Sequence, residues 1–262
     1  MFNVKPGFGA GVGAVAAVVL AAGPAAAASG WTVVSVPPAR QSAILSSVSA
    51  ASDSNAWAVG HTVNSGGYPG PLADHWNGTS WQQTTVPNNG SSINKISLSA
   101  VSAATTTDAW TVGISYTQQQ YQHPLAYHWD GRSWTQISTN TDGASFSGQL
   151  GVADIGTGNA WAVGYGLEHW NGTSWSVMPA PPAAPAALTG VTSSSSSSVW
   201  AVGGSAILFW NGTSWTTVSG ADPSSSSVLY GVSTRPGAAP TWAVGANFVS
   251  GSGFTPFVLE NG

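Results

Sequence analysis

Two short stretches, Ala56-Trp57-Ala58-Val59-Gly60 and His75-Trp76-Asn77-Gly78-Thr79-Ser80-Trp81, recur along the chain and decide how it folds. The first returns around Trp110, Trp161, Trp200 and Trp242. The second returns as His128-Trp129-Asp130-Gly131-Arg132-Ser133-Trp134, and again around Trp170 and Trp175, and Trp210 and Trp215. With Trp31 as an isolated copy of the last position, these places account for all 14 tryptophans. Trp57 and Val59 alternate onto one side of an extended chain, which is a strand pattern. A small, β-branched run precedes each copy, at residues 44–49, 98–103, 150–155, 188–192 and 229–233, with a valine at the same place: Val48, Val101, Val152, Val191 and Val232. Asn77-Gly78, or Asp130-Gly131, marks a hairpin turn. Each unit therefore reads as four antiparallel strands, a to d. The first tryptophan lies on b, the second ends c and the third begins d. The b tryptophans are 53, 51, 39 and 42 residues apart. Several short strands repeated at that interval are the signature of a β-propeller.

Strands a, b and c occur five times, and the fifth copy stops at Asn261-Gly262. A strand d with no a, b and c before it stands at residues 30–37. The expected architecture is all-β: a five-bladed β-propeller of four-stranded antiparallel blades, closed three-plus-one by strands from both ends. The expected blades are residues 42–87, 96–138, 148–178, 187–219, and 228–262 plus 30–37. A ring of residues 29–262 leaves 49 residues for the step across the join, inside the range of the other four. Sharing the last blade leaves no open sheet edge. A fragment of a longer array is the competing expectation.

Composition bounds the rest. The chain carries 5 Lys and Arg, 9 Asp and Glu, a net charge of −4 and no cysteine. Nucleic-acid binding needs clustered cations, and a polybasic membrane patch needs more of them than this. Disulfides and thiolate chemistry are excluded. Lys5, the apolar run over residues 9–22, Pro24 and Ala26-Ala27-Ala28 form an export-signal pattern cleaved after residue 28. Residues 29–262 are then expected outside the cytoplasm, free of membrane insertion and monomeric.

The repeat, which spans nearly all of residues 29–262, resembles those of kelch-type and galactose-oxidase-type propellers. It departs from kelch in having a Gly-Gly doublet after strand b only at Gly203-Gly204. The resemblance implies the fold. It does not carry over an active site, since a cross-linked Tyr–Cys cofactor needs a cysteine. Similar five-bladed rings include sugar-binding lectins and glycosidases.

Three features are candidates for chemistry. His75, His128 and His169 hold one position on strand c in three blades, with Phe209 and Leu259 expected at the equivalent places in the other two. Their spacing across blades suits structure better than a shared metal, so neither metal nor cofactor is expected. Among the nine carboxylates, Asp142 and Asp154 are the best available pair for glycoside hydrolysis or a lyase. The third feature is the connection between b and c, long at residues 61–71, 114–124 and 246–256 and short in the other two units. In a closed ring these three units are consecutive. Their connections carry His61, Tyr68, Tyr116, Tyr121, His123, Phe248 and Phe254, the expected ligand-binding residues. Aromatic platforms beside amides suit a glycan or cell-surface polymer first and a protein partner second. A purely structural surface module is the remaining alternative.

Overall fold

The computed structural model describes residues 32–37, 42–88, 95–116, 122–139, 148–156, 158–218, 226–235, 238–251 and 253–261. They form five antiparallel sheets, each built from neighbours in sequence. The first is β1 (Ser42–Ser52), β2 (Asn55–Val63), β3 (Pro69–Trp76) and β4 (Trp81–Thr84). The second is β5 (Lys95–Thr105), β6 (Asp108–Tyr116), β7 (Gln122–Trp129) and β8 (Trp134–Ile137). The third is β9 (Gln149–Gly156), β10 (Asn159–Gly164), β11 (Leu167–Trp170) and β12 (Trp175–Met178). The fourth is β13 (Gly190–Ser195), β14 (Ser198–Gly203), β15 (Ala206–Trp210) and β16 (Trp215–Thr217). The fifth has three strands: β17 (Ser227–Arg235), β18 (Ala238–Val249) and β19 (Gly253–Asn261). Five sheets fit five blades. The innermost strands β1, β5, β9, β13 and β17 pack on one another in series.

Alternation gives each sheet two different faces. Trp57, Val59, Ala73 and His75 share one, since Trp57 pairs with His75 and Val59 with Ala73. Ala56, Ala58, Leu72, Trp76 and Val48 share the other. The first face of each sheet packs on the second face of the next. One cluster joins Trp57 and Val59 to Leu98, Val101, Leu125, Trp129 and Trp134. The seams between later sheets repeat it.

Two glycine positions are dictated by this packing. Gly60, Gly113, Gly203 and Gly245 stand on strand b three residues after its tryptophan, where the chain leading into or along strand a comes close. A Cβ there would lie 1.9–2.4 Å from the carbonyl oxygen of Ile44, Ser97, Ala187 or Val228. The second position is the c–d hairpin, whose loop is four residues rather than two. Trp76 pairs with Trp81, and Asn77 Oδ1 accepts from the amides of Thr79 and Ser80 at 2.9 and 3.0 Å. Gly78, Gly131, Gly172 and Gly212 take φ of 90–94°, the left-handed region that side chains disfavour. Asp130, Asn171 and Asn211 repeat the cap.

Two expectations need correction. The long b–c connections are not loops. β2 and β3 stay paired out to Val63–Pro69, β6 and β7 to Tyr116–Gln122, and β18 and β19 to Val249–Gly253. The expected loops are hairpin arms with short tips. Pro71, Pro124 and Pro256 are tolerated in them because they stand beyond the reach of strand d, or on a sheet with none, where an edge has no use for their missing N–H. The second correction concerns the fifth sheet, where Trp242 pairs with Glu260. Glu260, not Leu259, thus holds the position of His75, and Asn261 that of Trp76. The slip turns Leu259 and Phe257 inward, onto the fourth sheet. The shared blade is not seen among the described residues, where 32–37 form no strand and β19 pairs only with β18. Every sheet formed is a chain of local hairpins. The expected fourth strand would join the two ends of the chain, the pairing with the largest loop-closure cost. Trp31 and the expected export segment lie outside the described residues.

The hairpin glycine gives a direct test. A Cβ on Gly131 would approach Thr107 Cγ2 to 2.7 Å, whereas one on Gly67, also at positive φ, meets nothing within 4 Å. Gly131→Ala should cost about 2 kcal/mol or more in urea unfolding, and Gly67→Ala about 1 kcal/mol. Equal losses would show that backbone conformation alone fixes this glycine.

Candidate functional site

The arms of the first two sheets meet at one end of the inter-sheet seam. At the first tip, Asn64 Oδ1 accepts from the amides of Gly66 (2.9 Å) and Tyr68 (3.0 Å), and Gly67 turns the chain at φ 76°. This presents the Tyr68 ring to solvent. Lys95, at the start of β5, lays its ammonium 4.5 Å from the centre of that ring, a cation–π contact. Lys95 is also the cross-strand partner of Tyr116. Two pairs further down, His61 Nδ1 and Ser97 Oγ share a hydrogen bond of 3.1 Å across the seam. Burial lowers the His61 pKa and raises that of the Tyr116 phenol. His123 is exposed opposite Ser115. The structure therefore assembles His61, Tyr68 and Tyr116 into one patch with Lys95 and Ser97, and His123 flanks it on the second arm. Tyr121 lies outside the described residues.

Phe248 and Phe254 are elsewhere. They face each other across the fifth arm at 5.5 Å, edge to face and both exposed. β18 and β19 make their main contacts with each other and β17, so the structure does not bring these rings to Tyr68.

The three histidines have a defined structural use. His75 stacks on Trp57 at 4.4 Å, His128 on Trp110 at 4.7 Å and His169 on Trp161 at 4.4 Å. Each uses Nε2 on the first residue of strand b: Asn55 at 2.9 Å, Asp108 at 2.8 Å and Asn159 at 3.0 Å. Phe209 takes the stacking role on Trp200, at 4.5 Å.

Asp154 stands at the opposite end of the seam from the arms. Its oxygens accept from the backbone amides of Ala104 (3.3 Å) and Gly156 (2.9 Å). This is a cap joining the second and third sheets. Burial, with Asp108 nearby, pushes its carboxyl up to about 7. Its partner in the expected acid pair, Asp142, lies outside the described residues. Two further carboxylates are deeply buried, Asp74 and Glu168, at one repeat position shared with Tyr127 and Leu208. Burial raises the Asp74 carboxyl.

Several contributors were missed in the sequence. Lys95 is one. The alternating serines of strand a are another: Ser47 and Ser49 accept from the amides of Val101 and Ala103, and Ser102 accepts from that of Asp154. Their signal was the i, i+2 spacing, which was legible but indistinguishable from solvent-facing alternation.

No family model and no curated protein matches the chain. Among solved structures, it is similar to one titled YCF48 bound to D1 peptide, at 18% identity, over 84% of this chain and 70% of that one, with a TM-score of 0.52. It is also similar to a chain of a mitotic checkpoint complex, at 16% identity, over 83% and 67%, with a TM-score of 0.54. These neighbours are β-propellers, and the likeness establishes that fold.

The raised Asp154 carboxyl has a signed consequence. The folded state holds a proton that the unfolded chain releases near the ordinary carboxyl value of 3.8. The stability this proton supplies is full below that value and is lost as pH rises through about 7. Asp154→Asn should therefore stabilise the protein at pH 8 by roughly 2–4 kcal/mol and much less at pH 4. Urea unfolding at the two pH values checks this, and a pH-independent effect would remove Asp154 as the titrating group.

Proposed function

We propose that the chain is an exported recognition propeller that binds a glycan or cell-surface polymer through the arms of its fifth, first and second blades. One observation carries the reading: only these three sheets raise b–c hairpins beyond the sheet body, and their rims hold exposed aromatic rings, Tyr68 under Lys95 and Phe248 against Phe254. Rings of this kind stack on the apolar faces of sugars, and amides such as Asn64 fix polar groups. The reading includes the closed five-bladed ring, with residues 30–37 as the fourth strand of the last blade, since only closure makes the fifth arm a neighbour of the first. The kelch-type and galactose-oxidase-type resemblance supports the propeller shape and nothing more. A protein or peptide ligand is the second reading, favoured by a structural neighbour described as bound to a peptide.

Purified protein screened against polysaccharide and peptide panels tests this. Binding without turnover to a polysaccharide is expected, weakened at least about tenfold by Tyr68→Ala or Phe254→Ala, a loss of about 1.4 kcal/mol or more. Binding confined to peptides would move the assignment to the second reading. Glycan hydrolysis abolished by Asp142→Asn or Asp154→Asn would replace recognition with catalysis.

A further inference from the structure

Three seams between sheets are one joint repeated. Trp57 lies 4.7 and 4.8 Å from Trp129 and Trp134, Trp110 4.9 Å from both Trp170 and Trp175, and Trp161 4.9 and 5.1 Å from Trp210 and Trp215. In each, the b tryptophan of one sheet is a knob under the c–d pair of the next. The knobs are 0–1% exposed. Two halves of this joint lack a mate. Trp242, on the same face of the fifth sheet, is 44% exposed, and Val244 beside it is 46% exposed, where Val59, Val112, Val163 and Val202 are all 0%. On the first sheet, Trp76 and Trp81 are 5.8 Å apart, as Trp129 and Trp134 are at 5.7 Å, yet they cover no knob among the described residues. Leu45 and Val48 on that face are 42% and 41% exposed, where Leu98 and Val101 are 0% and 1%.

We infer that Trp242 docks beneath Trp76 and Trp81 of the same chain, sealing the fifth sheet against the first. The two surfaces are the unmatched halves of an interface the molecule already uses three times, and each presents the residue types its mate requires. Leu45 and Val48 are the socket floor that Leu98 and Val101 form for Val59 in the first seam. The occupant is the chain's own first sheet rather than a second copy, for two reasons. An intramolecular partner is present at an effective concentration in the millimolar range. A head-to-tail contact between copies that does not close would continue into filaments. The inference rests on the closed ring proposed above and names the side chains that seal it. It is independent of which ligand the arms bind.

The chain has no cysteine, so a double variant Val48→Cys, Val244→Cys is clean for cross-linking with a short bismaleimide. An intramolecular link in monomeric protein, identified by peptide mass, is expected at a yield within about twofold of a Val59→Cys, Val101→Cys control in the first seam. Links only between copies, or two freely labelled thiols alongside a working control, would overturn the assignment. The unmutated chain supplies a second readout that no folding defect can mimic. Hydroxyl-radical footprinting should oxidise Trp242 as slowly as Trp161, and oxidation at Trp242 more than about fivefold faster would overturn it. Silence of every ligand panel leaves both readouts intact, so failure of the ligand assignment and failure of the seam are told apart.

Discussion

A tryptophan side chain on strand b has no way to leave water within its own sheet. That constraint governs the molecule. A four-stranded sheet is one layer thick, so Trp57, Trp110 and Trp161 are sealed from water by the Trp pair of the following sheet. No unit is complete alone, and sheets add in one direction because their two faces differ. The indoles meet edge to face or tilted, the arrangement their quadrupoles favour. The histidine stacked on each of the first three knobs covers the remaining ring face, and its tie to strand b keeps it there.

Around that joint the minor features become intelligible. The glycine on strand b, three residues after the tryptophan, admits the close approach of strand a. The Asn-Gly hairpin returns strand d so that the third tryptophan meets the second. Trp76, Trp129 and Trp210 donate their indole N–H to the a–b turn of their own sheets, at 3.0, 3.3 and 3.2 Å, which locks the pair from outside. Near the axis, serines and Asp154 sew strand a of one sheet to strand a of the next. The proposed binding site uses the parts the joint does not, the arms that rise above the seam.

Much of this was legible in the sequence. The periodic tryptophans, the marking valines and the Asn-Gly pairs give the five sheets and their strand order, because each reports a local hairpin or a buried face. The height of the arms was not legible. Gly66, Gly67, Pro69 and Pro71 look like a loop, yet β3 tolerates its prolines on an edge that β4 never reaches. The fifth-sheet register was misjudged because Leu259 and Glu260 compete for one position, and alternation beside Phe257 and Ala243 decides it. Of the candidate site, Tyr68, Tyr116 and His61 were found from loop position, but Lys95 was not, since a lone cation at a strand start carries no pattern. The pairing proposed for residues 30–37 with the last blade is a long-range step for which a local pattern carries no signal.

The central claim is that the knob and the pair act as one unit across each seam. A double-mutant cycle between Trp161 and Trp215, each replaced by Leu and followed by urea unfolding, measures this most directly. Direct contact at 5.1 Å with rings at 87° predicts a coupling of about 0.5–1.5 kcal/mol or more. Single-variant losses that simply add would mean that the two indoles are buried independently, and the joint would not be what holds neighbouring sheets together.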